Sequence, residues 1–483
     1  MIYEIVGSRV IAPYIGTSTY TWTSLIGIIL AALSLGYWLG GRWADRNPKV
    51  SVLASAIFFA AGLISLTVLI KEPVLSVISG RGLPVEVSSL IAATLLFAPA
   101  SVFLGFVPPY AVRLSVTSIE TSGVTVGRLY ALSTIGSIAG TFSAGFFLIP
   151  FLGTGRTLYL LAGVLFLLSA LLAPFSVRPS RIALIVVFFL GVALTEGSRF
   201  MIGSMSNYHD IDTQYSRVRV FDTAKNGRPL RAMAIDPYIY QTSMYLDTGE
   251  SGARYLQYYG LAELFRGVPD RSLMIGGAGY GYPKKYLGDY PNASIDIVEI
   301  DPGMTRIAKL HFGLKENTRL RTIHMDGRAF LNQSGSAVYD AVYLDAFTSL
   351  FSIPFQLTTV EAVIEIKRAL KPDGIVLVNL GTSIKGKGSL FLNAQVATYK
   401  KVFPYVKIFQ TDPAKPPEKV QNVVLVACSK PLKRTVRDSS YDLLLDNEIV
   451  EPRISAEVLT DDFAPVERMI SYAQSQYSKA GND

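Results

Sequence analysis

The sequence contains few of the residues that build disulfides, metal sites and charged surfaces. Cys428 is its single cysteine, so no disulfide can form within the chain and a cysteine-rich zinc site is excluded. The three histidines, His209, His311 and His324, are scattered without metal-ligand spacing, and we expect no metal. Charged residues make up only 17% of the 483 residues, against 50% hydrophobic ones. This balance is too apolar for an ordinary soluble enzyme.

The apolar residues are concentrated before residue 200. Five segments come close to the ~20 residues needed to cross a bilayer. They are residues 22–40, 50–70, 87–107, 129–151 and 157–174. Residues 1–16 are interpreted as the end of a helix whose first part is missing, residues 182–195 form a shorter candidate, and no cleavable signal peptide is visible. We therefore predict a multi-pass α-helical membrane domain over residues 1–198, located in the cell membrane.

The net charge of +8 could indicate nucleic acid, but the lysines are dispersed and form no basic stripe. An anionic lipid bilayer is the simpler partner, and we expect no nucleic acid. Loop cations in the membrane domain are unevenly divided. One side carries Arg42, Arg46, Lys49, Arg113, Arg128, Arg178 and Arg181, and the other carries Lys71, Arg81 and Arg156. The first set should be cytoplasmic by the positive-inside rule.

This charge pattern conflicts with a cytosolic substrate if residues 182–195 cross the membrane, because the chain after them would then lie outside. Fourteen residues rise only about 21 Å against a ~30 Å hydrocarbon core. The segment can instead lie at the interface or re-enter. We therefore expect the catalytic part of the chain to be cytoplasmic.

A glycine-rich loop comes directly after the apolar run 273–275. Its glycines are Gly276, Gly277, Gly279 and Gly281. Positions without a side chain at a strand-to-helix turn let a ligand approach the backbone, and the next helix presents N–H donors at its start. The loop alone is also compatible with a tight structural turn, so its assignment depends on the residues beyond it.

Three acidic residues lie beyond the loop, each at the carboxyl end of its own hydrophobic run. Glu299 lies about twenty residues past the loop, where an acid can hold ribose hydroxyls. Asp326, followed by Gly327, is placed to meet an adenine edge, and Asp345 ends the next run. Since open α/β sheets bind ligands at this edge, the set predicts a Rossmann-like nucleoside-binding domain of about seven strands over residues 263–483. Glu299 alone also fits an NAD protein, Asp326 a helix cap, and Asp345 a rim acid that caps its loop.

The residues around these acids closely resemble the polyamine aminopropyltransferases, the spermidine synthase family. The matching phrases are residues 298–301, 326–327 and 339–345, with an upstream β hairpin whose Asn226-Gly227 turn joins residues 215–222 and 230–235. The hairpin predicts a small β-rich domain with a linking helix over residues 199–262. Residues 345–347, 353–359 and 460–467 resemble the branch of this family that is fused to a membrane domain.

The resemblance implies a reaction and its participants. The co-substrate would be decarboxylated S-adenosylmethionine, with no permanently bound cofactor, and the acceptor a small polyamine-like amine, as in the conversion of putrescine to spermidine. Asp345 would be the catalytic proton acceptor. Gln241 and Tyr255 loosely match positions where the β domain and its helix close over the nucleoside. A homo-oligomer formed through the β domain is also implied.

Two departures from the family pattern keep other functions open. The family's loop aspartate, which holds the aminopropyl ammonium, is Gly279 here, and a second polyamine-binding acid is Thr348. Asp236, Glu250, Asp461 or Asp462 could substitute. The first alternative is therefore another S-adenosylmethionine transferase, moving a methyl or aminocarboxypropyl group to a different, possibly lipid-borne acceptor. The second is a non-catalytic transporter or sensor whose domain only binds a nucleoside.

Overall fold

In the computed structural model, the described residues are 1–81, 83–173, 179–236, 240–346, 353–435, 441–449 and 456–470. The chain forms two compact units, Met1–Arg217 and Val218–Asp483. The boundary between them comes after the long helical region and falls at the first residue of the β hairpin.

The first unit is built of helices. They are α1 (Ile2–Ile15), α2 (Thr19–Arg46), α3 (Val50–Gly80), α4 (Val85–Leu96), α5 (Ala98–Gly105), α6 (Val107–Ser115), α7 (Ser122–Ser143), a π-helical turn (Ala144–Leu148), α8 (Ile149–Leu152), α9 (Thr154–Leu172) and α10 (Pro179–Ser206), followed by strand β1 (His209–Asp212). Among the described residues, four helical runs are long and apolar enough to cross a membrane, and a fifth is formed if the pair bent by 51° after α4 is one span. They coincide with the five predicted segments, so this unit fits a membrane-embedded domain.

Small residues in α2 allow it to approach α5 and the chain directly after α5 closely. A Cβ on Gly36 would overlap the Val102 carbonyl, and one on Gly40 would lie 2.8 Å from the Phe106 Cα. The break between α4 and α5 exposes the Leu96 carbonyl, which accepts hydrogen bonds from the hydroxyls of Tyr3 at 3.0 Å and Thr67 at 2.8 Å. An unpaired carbonyl would be costly in lipid, so these two side chains stabilise the bend.

Helix α10 has 28 residues, twice the length of the predicted segment 182–195. It runs along α3. Near its start, Arg181 donates to Ser55 at 2.5 Å, and beyond its end Arg217 pairs with Glu72 at 3.2 Å. The apolar pattern underestimated this helix because polar and charged residues interrupt the hydrophobic run after residue 195.

The second unit begins with the predicted hairpin. Strands β2 (Arg217–Lys225) and β3 (Arg228–Ala234) are antiparallel, and β4 (Thr242–Tyr245) pairs with β3. The turn residues Asn226 and Gly227 have φ of 52° and 77°, the left-handed conformations that an Asn-Gly hairpin turn requires. The prediction of this hairpin is confirmed.

A 3₁₀ segment (Arg254–Gly260) and α11 (Leu261–Arg266) lead into an α/β sheet. Its elements are β5 (Arg271–Ile275), α12 (Gly281–Asp289), β6 (Ser294–Val298), α13 (Pro302–His311), β7 (Leu320–Ile323), α14 (Gly327–Gln333), β8 (Tyr339–Leu344), a 3₁₀ turn (Phe355–Leu357), α15 (Val360–Ala369), β9 (Leu370–Thr382), α16 (Leu390–Val402), β10 (Tyr405–Gln410), β11 (Gln421–Cys428), α17 (Asp442–Leu445) and β12 (Glu448–Ile449). The strand order is β12-β10-β11-β9-β8-β5-β6-β7. The seven predicted strands are all present, and the two-residue β12 is the eighth.

The parallel strands are covered on both faces. Along β8, Val342 and Leu344 pack into one hydrophobic core, and Ala341 and Tyr343 pack into the other. This explains why these strands are continuous apolar runs instead of alternating ones. The chain turns from β5 towards β6 and β7 on one side, and β8 pairs with β5 on the other. The ends of β5 and β8 therefore form the topological switch point, where open sheets bind ligands.

Candidate active site

The switch point brings the glycine loop against Asp345. The Asp345 N–H donates to the Ile275 carbonyl at 2.8 Å, which ties the ends of β8 and β5 together. Gly276 has φ of 95°, and a Cβ there would overlap the Asp345 carbonyl oxygen. The first loop glycine is thus required both by its backbone conformation and by the closeness of Asp345.

Glu299 lies under the loop and is buried. Its Oε2 accepts from the N–H groups of Gly277 at 2.8 Å and Ala278 at 3.1 Å, and its Oε1 accepts from the Asp301 N–H at 2.9 Å. Burial raises the pKa of the Glu299 carboxyl, and the three N–H donors oppose that shift. The predicted ribose acid therefore also has a structural role, because it fixes the loop to the end of β6.

The two later loop glycines face the β hairpin region. A Cβ on Gly279 would overlap the Thr242 methyl group and lie 3.0 Å from its Oγ1. A Cβ on Gly281 would lie 3.2 Å from the Ser251 Oγ. Thr242 thus occupies the space beside Gly279 that an acidic side chain in the loop would need.

Asp326 caps α14, which was the alternative to its predicted adenine contact. Its Oδ1 accepts from the Ala329 N–H at 3.0 Å, and the Gln356 amide donates to its Oδ2 at 3.4 Å. A Cβ on Gly327 would lie 2.6 Å from an Ile275 methyl group, so this glycine is required by packing. A capping carboxylate keeps acceptor positions on its second oxygen, and the two roles are compatible.

Asp345 is held by two side chains from distant elements. The Tyr255 hydroxyl donates to its Oδ2 at 2.8 Å, and the Asn379 amide donates to its Oδ1 at 3.0 Å. Each oxygen therefore has one fixed donor. Since an ionised carboxylate accepts about four hydrogen bonds, positions remain for the N–H groups of a substrate.

Burial raises the pKa of the Asp345 carboxyl, and the nearby groups of Asn379, Tyr255 and Tyr259 oppose this shift. The buried hydroxyl of Tyr259 makes no hydrogen bond among the described residues, so it acts on Asp345 by proximity. The carboxyl is only partly accessible to solvent. This setting makes Asp345 a stronger base than an exposed aspartate, which suits proton transfer.

The other predicted residues have different positions. The Gln241 N–H donates to the Met233 carbonyl at 2.7 Å, which places this half-buried residue next to β4. Asp461 pairs with Arg328 at 2.9 Å and accepts from the Thr359 hydroxyl at 2.6 Å, so a structural role accounts for it. Thr348, one of the two departures from the family pattern, lies outside the described residues.

Sequence reasoning did not select Asn379 or Thr242. Asn379 lies in β9 and is only 8% exposed, and its Oδ1 accepts no hydrogen bond from the residues that the structure describes. The available signal was a polar residue in the apolar run 375–380, since a buried amide needs partners. Thr242 gave no such signal, because its importance depends on where the hairpin folds over the loop.

Comparisons with known proteins identify related domains. A family model described as "Methyltransferase domain" matches residues 274–378. The polyamine aminopropyltransferase of Vibrio vulnificus is 30% identical over 223 residues, covering 45% of this chain and 72% of the relative. Polyamine aminopropyltransferase 1 of Streptomyces coelicolor is 24% identical over 406 residues, covering 73% and 72%. The human eEF1A lysine and N-terminal methyltransferase is 27% identical over 194 residues, covering 36% and 27%.

The second unit is thus an enzyme domain of the class that includes spermidine synthases and S-adenosylmethionine-dependent methyltransferases. Within this class the similarity to the Vibrio relative extends over most of that protein's length. The chain belongs to the polyamine aminopropyltransferase family.

Proposed function

We propose that the protein is a membrane-bound aminopropyltransferase. It transfers the aminopropyl group of decarboxylated S-adenosylmethionine to a polyamine-like amine and releases 5′-methylthioadenosine. The glycine loop, Glu299 and Asp326 hold the nucleoside, and Tyr255 and Gln241 close over it. The single observation that supports this most strongly is the position of Asp345 at the switch point, with each carboxylate oxygen fixed by a separate side chain.

The reaction needs a base and a leaving group. A primary amine has a pKa near 10.4, so freeing its lone pair at pH 7 costs roughly 4 to 5 kcal/mol. Asp345 orients the ammonium, attracts it and takes one proton as the amine nitrogen attacks the methylene carbon beside the sulfonium. The carbon–sulfur bond breaks, and the sulfur keeps the electron pair as a neutral thioether.

The products of a purified preparation in detergent test this proposal. The enzyme is given decarboxylated or full S-adenosylmethionine with an amine acceptor, and the nucleoside product is identified. We expect 5′-methylthioadenosine from the decarboxylated donor and at least about tenfold tighter binding of that donor, a gap of about 1.4 kcal/mol. If either donor binds but no product forms with any acceptor, the domain binds nucleosides without catalysing transfer.

A second candidate function is favoured by the packing at Gly279. Because Thr242 fills the space beside this glycine, the loop carries no carboxylate to hold an ammonium or to repel the carboxylate of full S-adenosylmethionine. Transfer of a methyl or aminocarboxypropyl group then becomes chemically reasonable. In the same assay, methyl transfer would release S-adenosylhomocysteine from the full donor. Aminocarboxypropyl transfer would release 5′-methylthioadenosine from that donor.

We also propose that the catalytic unit faces the cytoplasm, where a nucleoside donor is made. One observation favours the opposite side. Helix α10 has 28 residues, about 42 Å, which is enough to cross the ~30 Å core. Its start lies by Ser55 and the chain after it lies by Glu72, at the other end of α3. The cation-rich loops would then face away from the catalytic unit.

Cysteine labelling in intact cells distinguishes the two orientations. Cys428 is buried, so a Cys428→Ser background with Lys315→Cys, an exposed position of the second unit, gives one reactive thiol. Labelling by a membrane-impermeant maleimide only after cell lysis supports a cytoplasmic catalytic unit. Labelling of intact cells would place it outside and require an exported donor.

A further inference from the structure

The second unit contains a cavity that is separate from the Asp345 site. Its volume is about 730 Å³, and neither Asp345 nor the glycine loop lines it. The walls come from the 3₁₀ segment Arg254–Gly260, from α11 and α12, and from α17. This size is ordinary for a small-molecule site, and nothing in the proposed reaction uses it.

The lining of the cavity is acidic. The carboxylates of Glu263, Asp270 and Asp289 line it, and Lys285 is the one cation among the lining residues. Lys285 is paired with Asp289 at 2.7 Å, so that pair is neutral. Two negative charges, on Glu263 and Asp270, are left in a concave surface, where they attract a cation.

Glu263 is fixed in place through its Oε2, and within the part of the chain that the structure describes its Oε1 accepts no hydrogen bond. The hydroxyls of Tyr290 and Tyr441 both donate to its Oε2, at 2.9 and 3.1 Å. This arrangement orients the carboxylate and leaves Oε1 available to a further N–H donor.

Aromatic side chains complete the cavity, and one carries an unsatisfied group. Tyr282 lines the cavity and is 3% exposed, and within the described residues its hydroxyl, which lies close to that of Tyr343, makes no well-formed hydrogen bond. Native proteins rarely leave a buried hydroxyl unpaired. Tyr282, Tyr290 and Tyr441 also contribute aromatic side chains to the lining, and aromatic rings can attract an organic cation. Among the described residues no group of three His, Cys, Asp or Glu side chains could hold a metal ion, so the chemistry favours an amine.

We propose that this cavity binds an aliphatic amine cation, with Oε1 of Glu263 as its anchor, tyrosine rings along its carbon chain and Asp270 at the rim. The site is distinct from the reaction site and does not depend on which group the enzyme transfers.

Calorimetry on the full chain in detergent tests the proposal, with spermidine as the probe. The Asp345→Asn background removes the carboxylate of the reaction site, so that retained binding reports the cavity. We expect saturable binding near one spermidine per chain in this background. Adding Glu263→Gln should weaken it by at least about tenfold, since a hydrogen-bonded charge is lost. Adding Asp270→Asn should weaken it by about threefold, as expected for a rim charge.

Asp247→Asn is the matched control. Asp247 lies on the hairpin, is paired with Arg228 at 3.0 Å and does not line the cavity, yet its substitution changes the net charge as Asp270→Asn does. Affinity should be unchanged by it. Absence of binding in the Asp345→Asn background would overturn the proposal. So would equal losses in the Asp247→Asn and Asp270→Asn variants, which would indicate general charge attraction. If Glu263→Gln does not fold, comparing the spermidine affinities of the Asp247→Asn and Asp270→Asn variants still tests the proposal, because both positions are exposed.

Discussion

Asp345 and Glu299 lie at the same edge of the sheet but are held in different ways. Glu299 is bound by backbone N–H groups of its own neighbourhood, those of Gly277, Ala278 and Asp301. Asp345 is bound by the side chains of Tyr255 and Asn379, which come from a different segment and a different strand. Burial raises the pKa of both carboxyl groups.

This difference separates the work of the two carboxylates. Backbone donors cannot move without moving the loop, so Glu299 gives rigidity to the glycine loop and to any nucleoside bound there. Side-chain donors fix the direction of the Asp345 oxygens. The Asp345 backbone is held separately, through its N–H bond to the Ile275 carbonyl at the switch point. Asp345 is thus arranged to accept and release a proton, and Glu299 to stabilise the conformation of the glycine loop.

The largest effect should come from Asp345→Asn. An amide of nearly the same shape keeps the packing but cannot accept the amine proton. We expect kcat to fall by about a thousandfold, with donor binding changed by less than about threefold. Initial rates and calorimetry measure the two quantities. Asp461→Asn is the control, because Asp461 serves Arg328 and Thr359. Full turnover in the Asp345→Asn variant would mean that Asp345 is a rim acid that only caps its loop.

Removing one of the Asp345 donors should have an intermediate effect. Asn379→Ala and Tyr255→Phe each delete a hydrogen bond to the carboxylate, which costs about 1.5–3 kcal/mol and lowers kcat about ten- to a hundredfold. Deleting a donor destabilises the charged form, so the pKa of Asp345 rises further. Activity, which needs the carboxylate, should then be lost at a higher pH than in the wild type.

The pH dependence of kcat with a single amine acceptor measures this shift. The titration of the amine is common to all variants and cancels in the comparison. A lower rate with an unchanged acid limb would mean that Asn379 and Tyr255 act only through packing. Asp461→Asn again serves as the reference, because the recorded side-chain partners of Asp461 are Arg328 and Thr359.

The strands and the strand-end acids were predictable because they depend on local patterns. Apolar runs of four to eight residues that end in Glu299, Asp326 and Asp345 indicate a parallel sheet. The Asn226-Gly227 turn indicates the β hairpin, which belongs to a separate, smaller sheet. The partners of Asp345 were not predictable in the same way. Tyr255 and Asn379 lie 90 and 34 residues away in sequence, and only the strand order brings them to one carboxylate.

The helical first unit shows the same limit. Its five apolar segments are predicted by apolar length alone, and among the described residues they coincide with four long helices and one bent helix pair. The length of helix α10 was underestimated because a hydropathy pattern detects only its apolar part. A helix continues through polar residues as long as its backbone hydrogen bonds are satisfied. The orientation of the catalytic unit depends on this one helix.

A smaller effect should come from filling the space between the loop and the hairpin. In Gly279→Ala the new Cβ overlaps the Thr242 methyl group, and overpacking of this kind costs about 1–3 kcal/mol. We expect about tenfold weaker donor binding. Thr242→Ser removes that methyl group, so the double variant should recover most of the loss. A double-mutant cycle measures the coupling. Independent, additive effects would show that Thr242 does not limit the loop.

The smallest effect should come from Asp326, where capping and ligand binding can be separated. Asp326→Ala loses the cap of α14 and should lower the free energy of unfolding by about 1 kcal/mol, whereas Asp326→Ser keeps a capping oxygen and should leave it nearly unchanged. Both variants lose the second oxygen, which is the one available to adenine. If that oxygen binds the donor, calorimetry will show weaker donor binding in both variants, with unfolding affected in only one. Normal donor binding in Asp326→Ser would mean that Asp326 is a cap alone, and that the nucleoside is held by the loop and Glu299.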